Sequence, residues 1–333
     1  MTIKANVALI GGKHLMAETL LEILHERKFP LAKIEVFDEV EHEGDLIEFD
    51  KKSLSFKALS DFNADAFDII FNFQTDFLAR YQNLIRQTTY VIDLSEPDTP
   101  EAFETPGNYV VPEANADQLD AGNVFTCPNS AAIAASLILK KLELDISQVH
   151  LHVMQPVSAF GKAGVDEIAE QTTHLLSARP FENKVFNSQV AFNVLPTEAH
   201  EGEASTQETA IYKAVKQIIP GEYGLNVSVV TVPVFFGTSM TITIQSYDEV
   251  ALHYVYDALA DVDIFAVIEA DNQEGLPSAV GDANGTDKIY ISRLRISGID
   301  QNMINMWCVI DNGRKGSTLN GVQMAEILVK SYL

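Results

Sequence analysis

"VALIGGKHLMAETLLEIL", residues 7–24, is the stretch whose reading decides the fold. Val7–Ile10 is apolar on both faces, Gly11-Gly12 turns the chain, and Leu20, Leu21 and Leu24 recur behind it at helical spacing. A buried strand passing through a glycine turn into a helix is the opening unit of a parallel sheet. Between turn and helix stands Lys13-His14-Leu15-Met16-Ala17, where backbone approaching a pyrophosphate would need further glycine. The stretch thus predicts the scaffold of a dinucleotide domain with an altered phosphate loop.

The pattern repeats over the first 130 residues: "KIEVF" (33–37), "FDIIFNF" (67–73), the helical "DFLARYQNLIRQ" (76–87) and "TYVIDLS" (89–95). Strands alternating with helices predict an α/β, doubly wound, Rossmann-like domain with right-handed crossovers. Ligands lie beyond the carboxyl ends of such strands, so Gly11, the chain after Phe73, and Ser95 are expected to line one crevice.

Beyond a helix predicted over Ala131–Leu142, the pattern changes. "SQVHLHVMQPVSAF" (147–160) alternates, with Val149, Leu151 and Val153 on one face and His150 and His152 on the other. "LNVSVVTVPVFF" (225–236), "SMTITIQSY" (239–247), "DKIYISRLRIS" (287–297) and "INMWCVIDN" (304–312) add long strands, which predicts an α+β domain with an antiparallel or mixed sheet. "TEAHEGEASTQETA" (197–210) reads as a polar, mobile loop. In the closing segment, Leu319, Val322, Ala325, Ile327 and Leu328 form a helix face expected to pack back on the first domain. The domains are therefore placed at 1–130, completed by 315–333, and at 131–314.

At 333 residues the chain is long enough for two cores. Lys plus Arg number 23 and Asp plus Glu 47, a net charge of −24 that repels nucleic acids and anionic membranes and works against a multiply charged anion. Cys127 and Cys308 are far apart and without metal-ligand spacing, and His150, His152, His174 and His253 are scattered, so no metal site is expected. No signal peptide and no run of about 18 apolar residues is read, which points to a cytoplasmic protein with reduced cysteines.

Seven segments, in order, carry a family likeness: "KFPLAKIEVF", "VVPEANADQL", "CPNSAAIAASLILKKL", "QPVSAFGKAGVDEI", "AFNVLP", "VVTVPVFFGTSMTI" and "CVIDNGRKGSTLNGVQMAEIL". Over essentially its whole length the chain resembles the aspartate-semialdehyde dehydrogenase family, most closely its divergent Usg-type branch. The resemblance implies a dehydrogenase-type C-terminal dimerisation domain and a homodimer, whose sheet would come from "VSVVTVPVFF" and "MTITIQ". It also implies NADP as cofactor, and reversible reductive dephosphorylation of aspartyl phosphate through a thioester. Gly11, Gly12, Lys13, Ser95 and Asn312 take the cofactor-binding positions, Gln155 the substrate-orienting glutamine, and Glu208 falls near the substrate-contacting glutamate.

The chemical positions depart from the family. Its cysteine nucleophile, in Asn-Pro-Asn-Cys-Ser-Thr, is matched by Ser130, read here as the N-cap of the following helix. Its histidine base is matched by Thr238, and its substrate arginine by Thr231. A serine hydroxyl is scarcely ionised near neutrality, and threonine neither exchanges a proton there nor forms a bidentate fork on a carboxylate. Arg314 and Lys315 are retained, and Gln155 and Glu208 read as inherited architecture, the first capping a backbone group and the second a solvated loop carboxylate. The leading expectation is a catalytically deficient homologue that binds a small ligand or a protein partner. The alternative is an active NADP-dependent oxidoreductase acting on an aldehyde, with altered substrate or with Cys127 as nucleophile. Mixed dimers with a true dehydrogenase are a third possibility, and Cys127, ahead of Pro128, also reads as a small buried hydrophobe.

Overall fold

The computed structural model describes residues 4–95, 107–199, 201–269, 275–299 and 301–331. It divides into two compact units, Met1–Pro128 with Ser317–Leu333, and Asn129–Gly316. The first unit is a Rossmann-like layer of eight strands: β1 (Ala5–Ile10), β2 (Leu31–Asp38), β3 (Leu46–Phe49), β4 (Lys52–Ala58), β5 (Ile69–Asn72), β6 (Tyr90–Asp93), β7 (Asn108–Tyr109) and β8 (Val124–Thr126). Their order is β3-β4-β2-β1-β5-β6-β8-β7, parallel except for the β3–β4 hairpin. Because β2 and β5 flank β1 on opposite sides, the order reverses there, and the carboxyl ends at Ile10, Asp38 and Asn72 open a crevice.

Helix α1 (Ala17–Glu26) buries the leucines read from the opening stretch. α2 is shorter than the sequence pattern predicts, Phe77–Tyr81 followed by one 3-10 turn at Gln82–Leu84. Phe77 and Leu78 pack into a core with Phe37, Phe62 and Phe67, whereas Leu84 is exposed, so no burial supports further turns. A four-residue helix α3 (Pro112–Asn115) follows, and α8 (Leu319–Ser331) returns from the chain end to pack on α1 and β6. Arg27, the C-cap of α1, grips Glu326 of α8 in a two-pronged bond at 2.7 and 2.6 Å. The β3–β4 hairpin had no strong sequence signal. Its turn residues Asp50 and Lys51 both adopt positive φ (46° and 63°), a conformation that Asn-Gly would have advertised.

The second unit is a mixed sheet of β9 (Ile146–Gln155), β10 (Leu195–Pro196), β11 (Gly224–Thr231), β12 (Thr238–Ser246), β13 (Phe265–Ile268), β14 (Ile289–Ser297) and β15 (Met303–Ile310), in the order β10-β11-β9-β12-β15-β14-β13. Pairs β11–β9 and β13–β14 are parallel and the others antiparallel. Helices α4 (Ser130–Leu142), α6 (Thr206–Ile218) and α7 (Leu252–Ala260) pack on its strands. The burial alternates as the pleat requires: Val149, Leu151, Val153, Met240, Ile242 and Ile244 are buried, while the residues between them are half-buried or exposed. On the open face His152 lies beside Ser228 and Thr241, and His150 beside Asn226 and Thr243. Helix α5 (Gly161–Leu176) straps the chain that follows it, Gln171 accepting from the Val190 and Ala191 amides and the buried Glu167 from that of Lys184.

The expected polar loop at 197–210 is corrected in its second half, where α6 begins at Thr206. Ser205 and Glu208 form a reciprocal capping box, a local hydrogen-bond pattern that outweighs the polar composition. Glu208 is therefore a helix residue and not a solvated loop carboxylate, and its Oε1 also accepts the Val229 amide of β11 at 3.1 Å. Replacing Glu208→Ala removes both bonds and is expected to lower the unfolding free energy by about 2 kcal/mol, which urea titration at neutral pH will measure.

Candidate functional site

The crevice of the first unit is built by Gly11–Ala17, Asp38 and the chain after β5. Gly11 takes φ +86°, and a Cβ on Gly12 would lie 2.6 Å from Val36 Cγ1 and 2.7 Å from the Phe56 ring, so this pair is required for the turn and its packing. The loop between them and α1 is held by the chain's own acceptors. The Lys13 amide donates to Asp38 Oδ2 at 2.8 Å, the Met16 amide to His14 Nδ1 at 3.2 Å, and the Ala17 amide to the His14 carbonyl at 3.0 Å. Lys13 Nζ pairs with Asp45 at 2.9 Å. The His14 ring stacks on Phe73, centroids 4.5 Å apart, and burial pushes its pKa down to about 4 against the opposing charge of Asp38, so the ring is neutral at pH 7.

Ser95 lies at the neighbouring strand end, where its amide and hydroxyl both donate to Asp93 Oδ1. Asn72 donates to the same oxygen at 2.8 Å, and burial raises the Asp93 carboxyl above the usual carboxylate range. Asp38 and Asp93, each ending a strand at this crevice, were not singled out from the sequence. The signal available was an acid closing an otherwise apolar strand, in "EVFD" and "YVID".

In the second unit, Ser130 and Thr238 meet at one end of the mixed sheet, and Thr231 ends β11 two strands away at the same end. Ser130, Thr231 and Thr238 are all buried, at 8 %, 2 % and 3 % exposure. The Ser130 and Thr238 hydroxyls share a hydrogen bond of 2.7 Å across 108 residues of chain. Ser130 is not the N-cap of α4. Asn129, in extended backbone, fills that place and accepts the Ala132 amide at 3.0 Å, because Ser130 already has helical backbone and its hydroxyl is turned to Thr238. Gly316 is needed here, since a Cβ would stand 2.5 Å from Ser130 Cβ and 2.7 Å from the Asp311 carbonyl.

Gln155 and Thr231 end paired strands in register, with the Gln155 carbonyl accepting the Val232 amide. Asn312 accepts the Gly237 amide at 2.8 Å and donates to Ser158 at 3.1 Å, tying β12 to the loop after β15. The retained Arg314 donates to Asp287 at 2.8 Å, and Lys315 is fully buried. Cys127, in the first unit, is buried beside the Ser317 carbonyl and accepts from the Asn320 amide at 3.4 Å. Among the described residues no cluster of three or more His, Cys, Asp or Glu is arranged to hold a metal ion.

The His14 ring generates a pH test. Between its ordinary value of 6.5 and its folded value of about 4, the unfolded chain takes up a proton that the folded chain refuses. Stability should therefore fall by about 2 kcal/mol as pH drops from 6.5 to 5, and His14→Gln should remove that part of the pH dependence in urea unfolding.

Comparison with known proteins places the chain in a lineage. The semialdehyde dehydrogenase dimerisation domain matches residues 137–315, which include nearly all of the second unit. The chain is 34 % identical to a USG-1 protein homologue of Pseudomonas aeruginosa over 98 % of both chains. It is 33 % identical to the aspartate-semialdehyde dehydrogenase of Rickettsia bellii over the full length of each. The crystal structure of aspartate-semialdehyde dehydrogenase II of Vibrio cholerae, complexed with ASA, superposes with a TM-score of 0.92 at 28 % identity, covering 99 % of this chain and 100 % of that one. Parallel crevice, mixed sheet and whole-length similarity agree: the chain belongs to the semialdehyde dehydrogenase family.

Proposed function

We propose that this chain is a semialdehyde dehydrogenase homologue that has lost the family reaction and serves as a homodimeric, cytoplasmic binding protein. The observation that carries this reading is the buried Ser130–Thr238 hydroxyl pair. A thioester mechanism needs a thiolate at one of these positions and a proton acceptor at the other. Two neutral hydroxyls, bonded to one another, supply neither. Thr231 adds no cation for a substrate carboxylate, and residues of one catalytic constellation act as a unit, so the three changes together leave little transition-state stabilisation.

The NADP implied by family membership does not fit the crevice. Asp38 ends β2, where this fold places the adenosine ribose, and its negative charge opposes a 2′-phosphate. The Lys13 and Met16 amides are spent on Asp38 and His14, and the Lys13 ammonium on Asp45. Cys127 gives the oxidoreductase alternative no support, because its sulfur is buried against Ser317 and Asn320. Supporting the cytoplasmic placement, neither Cys127 nor Cys308 is in a disulfide.

The purified protein, given aspartate semialdehyde, phosphate and NADP, is expected to produce no NADPH above the blank. Ser130→Cys alone is expected to restore none, since Thr238 and Thr231 remain. Calorimetric titration with NADPH should likewise give no binding heat. Turnover by the wild type, or micromolar NADPH affinity, would sink the proposal.

A further inference from the structure

Two buried polar side chains at the end of the mixed sheet have no partner inside the protein. Gln155 is 7 % exposed and Thr231 2 %, and among the described residues neither the Gln155 carboxamide nor the Thr231 hydroxyl makes a hydrogen bond. The side-chain atoms that the fold seals off without a partner are Gln74 Oε1, Thr126 Oγ1, Ser136 Oγ, Ser292 Oγ and Asn320 Oδ1, and neither residue is among them. The polar ends of Gln155 and Thr231 therefore reach open space from a buried position. A buried polar group left by the protein to something else marks a place where that something binds.

The pleat turns both groups to one side. Gln155 and Thr231 are Cα partners in the parallel β9–β11 pair, so their side chains stand next to one another at about 4.8 Å spacing. Met240 pairs with Val153 and Ser239 with Met154, which sets Thr238 beside Gln155 on its other flank. All three continue the buried faces of their strands, toward α4 and α6. Thr238 is occupied by Ser130, so the Gln155 amide and the Thr231 hydroxyl are the free pair of the row.

Charge decides what can pair with them. Glu208 accepts the Val229 amide two residues before Thr231, so a carboxylate already stands near the row. Arg314 is bound to Asp287, and Lys315 is not free either. At the start of α4 only the partial positive charge of a helix end is added, and Asn129 already takes the Ala132 amide there. A ligand carboxylate would thus give up its water beside a like charge, for neutral hydrogen bonds alone. A carboxamide of the same shape carries no charge, and its carbonyl and N–H are the complement of what Gln155 offers.

We infer that Gln155 and Thr231 hold the carboxamide group of a small uncharged molecule, and that the row rejects the carboxylate of the same skeleton. The inference rests on the binding-protein reading above and names the ligand class of that same site. Gln155 pairs amide to amide, donating to the ligand carbonyl and accepting its N–H, while the Thr231 hydroxyl donates to the same carbonyl. Against a carboxylate the Gln155 carbonyl faces an oxygen and loses its donor, which is how a hydrogen-bonding site discriminates between near-isosteres.

Saturation-transfer NMR on the full chain at pH 7, titrating succinamide and succinate, the diamide and diacid of one four-carbon skeleton, tests this. Succinamide is expected to bind in the millimolar range with a Kd at least tenfold below that of succinate. Gln155→Leu should raise the succinamide Kd at least tenfold, and Thr231→Arg should reverse the order of the two compounds, with circular dichroism confirming that each variant is folded. A wild type that binds neither compound, or succinate at least as tightly, overturns the ligand class. Unchanged succinamide binding by folded Gln155→Leu, or an unchanged order in folded Thr231→Arg, overturns the site. Turnover of aspartate semialdehyde by the wild type overturns the binding-protein reading itself, whereas failure of the succinamide titration without turnover leaves that reading standing.

Discussion

Helix α4 is buried nearly all round, and the second unit is organised about it. Eleven of its thirteen residues are buried, including Ser130 at its start and Ser136 within it. A helix with so little polar surface has to be enclosed, here by β12, β15, α6 and α7. Its small residues, Ala131, Ala132, Ala134 and Ala135, allow close approach, and packing at such density leaves little freedom at its first turn. The Asn129 cap, the Ser130–Thr238 bond and the close approach of Gly316 are consequences of pinning that turn.

The same constraint explains how hydroxyls fit at these buried positions. A hydroxyl occupies less room than a thiol, and a buried hydroxyl is tolerated when it finds a partner. Ser130 and Thr238 supply one another, so the pair costs the core no orphaned polar group. The first unit shows the same economy. Its crevice loop satisfies itself through Asp38, Asp45 and the His14 ring, and a neutral stacked imidazole fills space that a glycine would have left open.

Electrostatics divides the surface of the second unit differently. Carboxylates are abundant along the chain yet absent from the five long strands β9, β11, β12, β14 and β15, whose half-buried and exposed positions carry hydroxyls, amides, two imidazoles, two guanidinium groups and Trp307, which donates to the Pro277 carbonyl.

By itself the sequence determined the strand, turn and helix of Val7–Leu24, the alternation of strands and helices in the first unit, and the two-residue alternation of β9. Each is set by local periodicity. It also gave the identities of Ser130, Thr231 and Thr238, which are one-dimensional facts. Tertiary structure alone decided what those residues touch. The partner of Ser130 lies 108 positions away, Asn129 takes the cap that a reading of Ser130 had claimed, and Glu208 serves a helix start and a strand at once. Periodicity tells which face a residue occupies, but hydrogen bonds between distant segments depend on which strands become neighbours, and that is settled only when the sheets assemble.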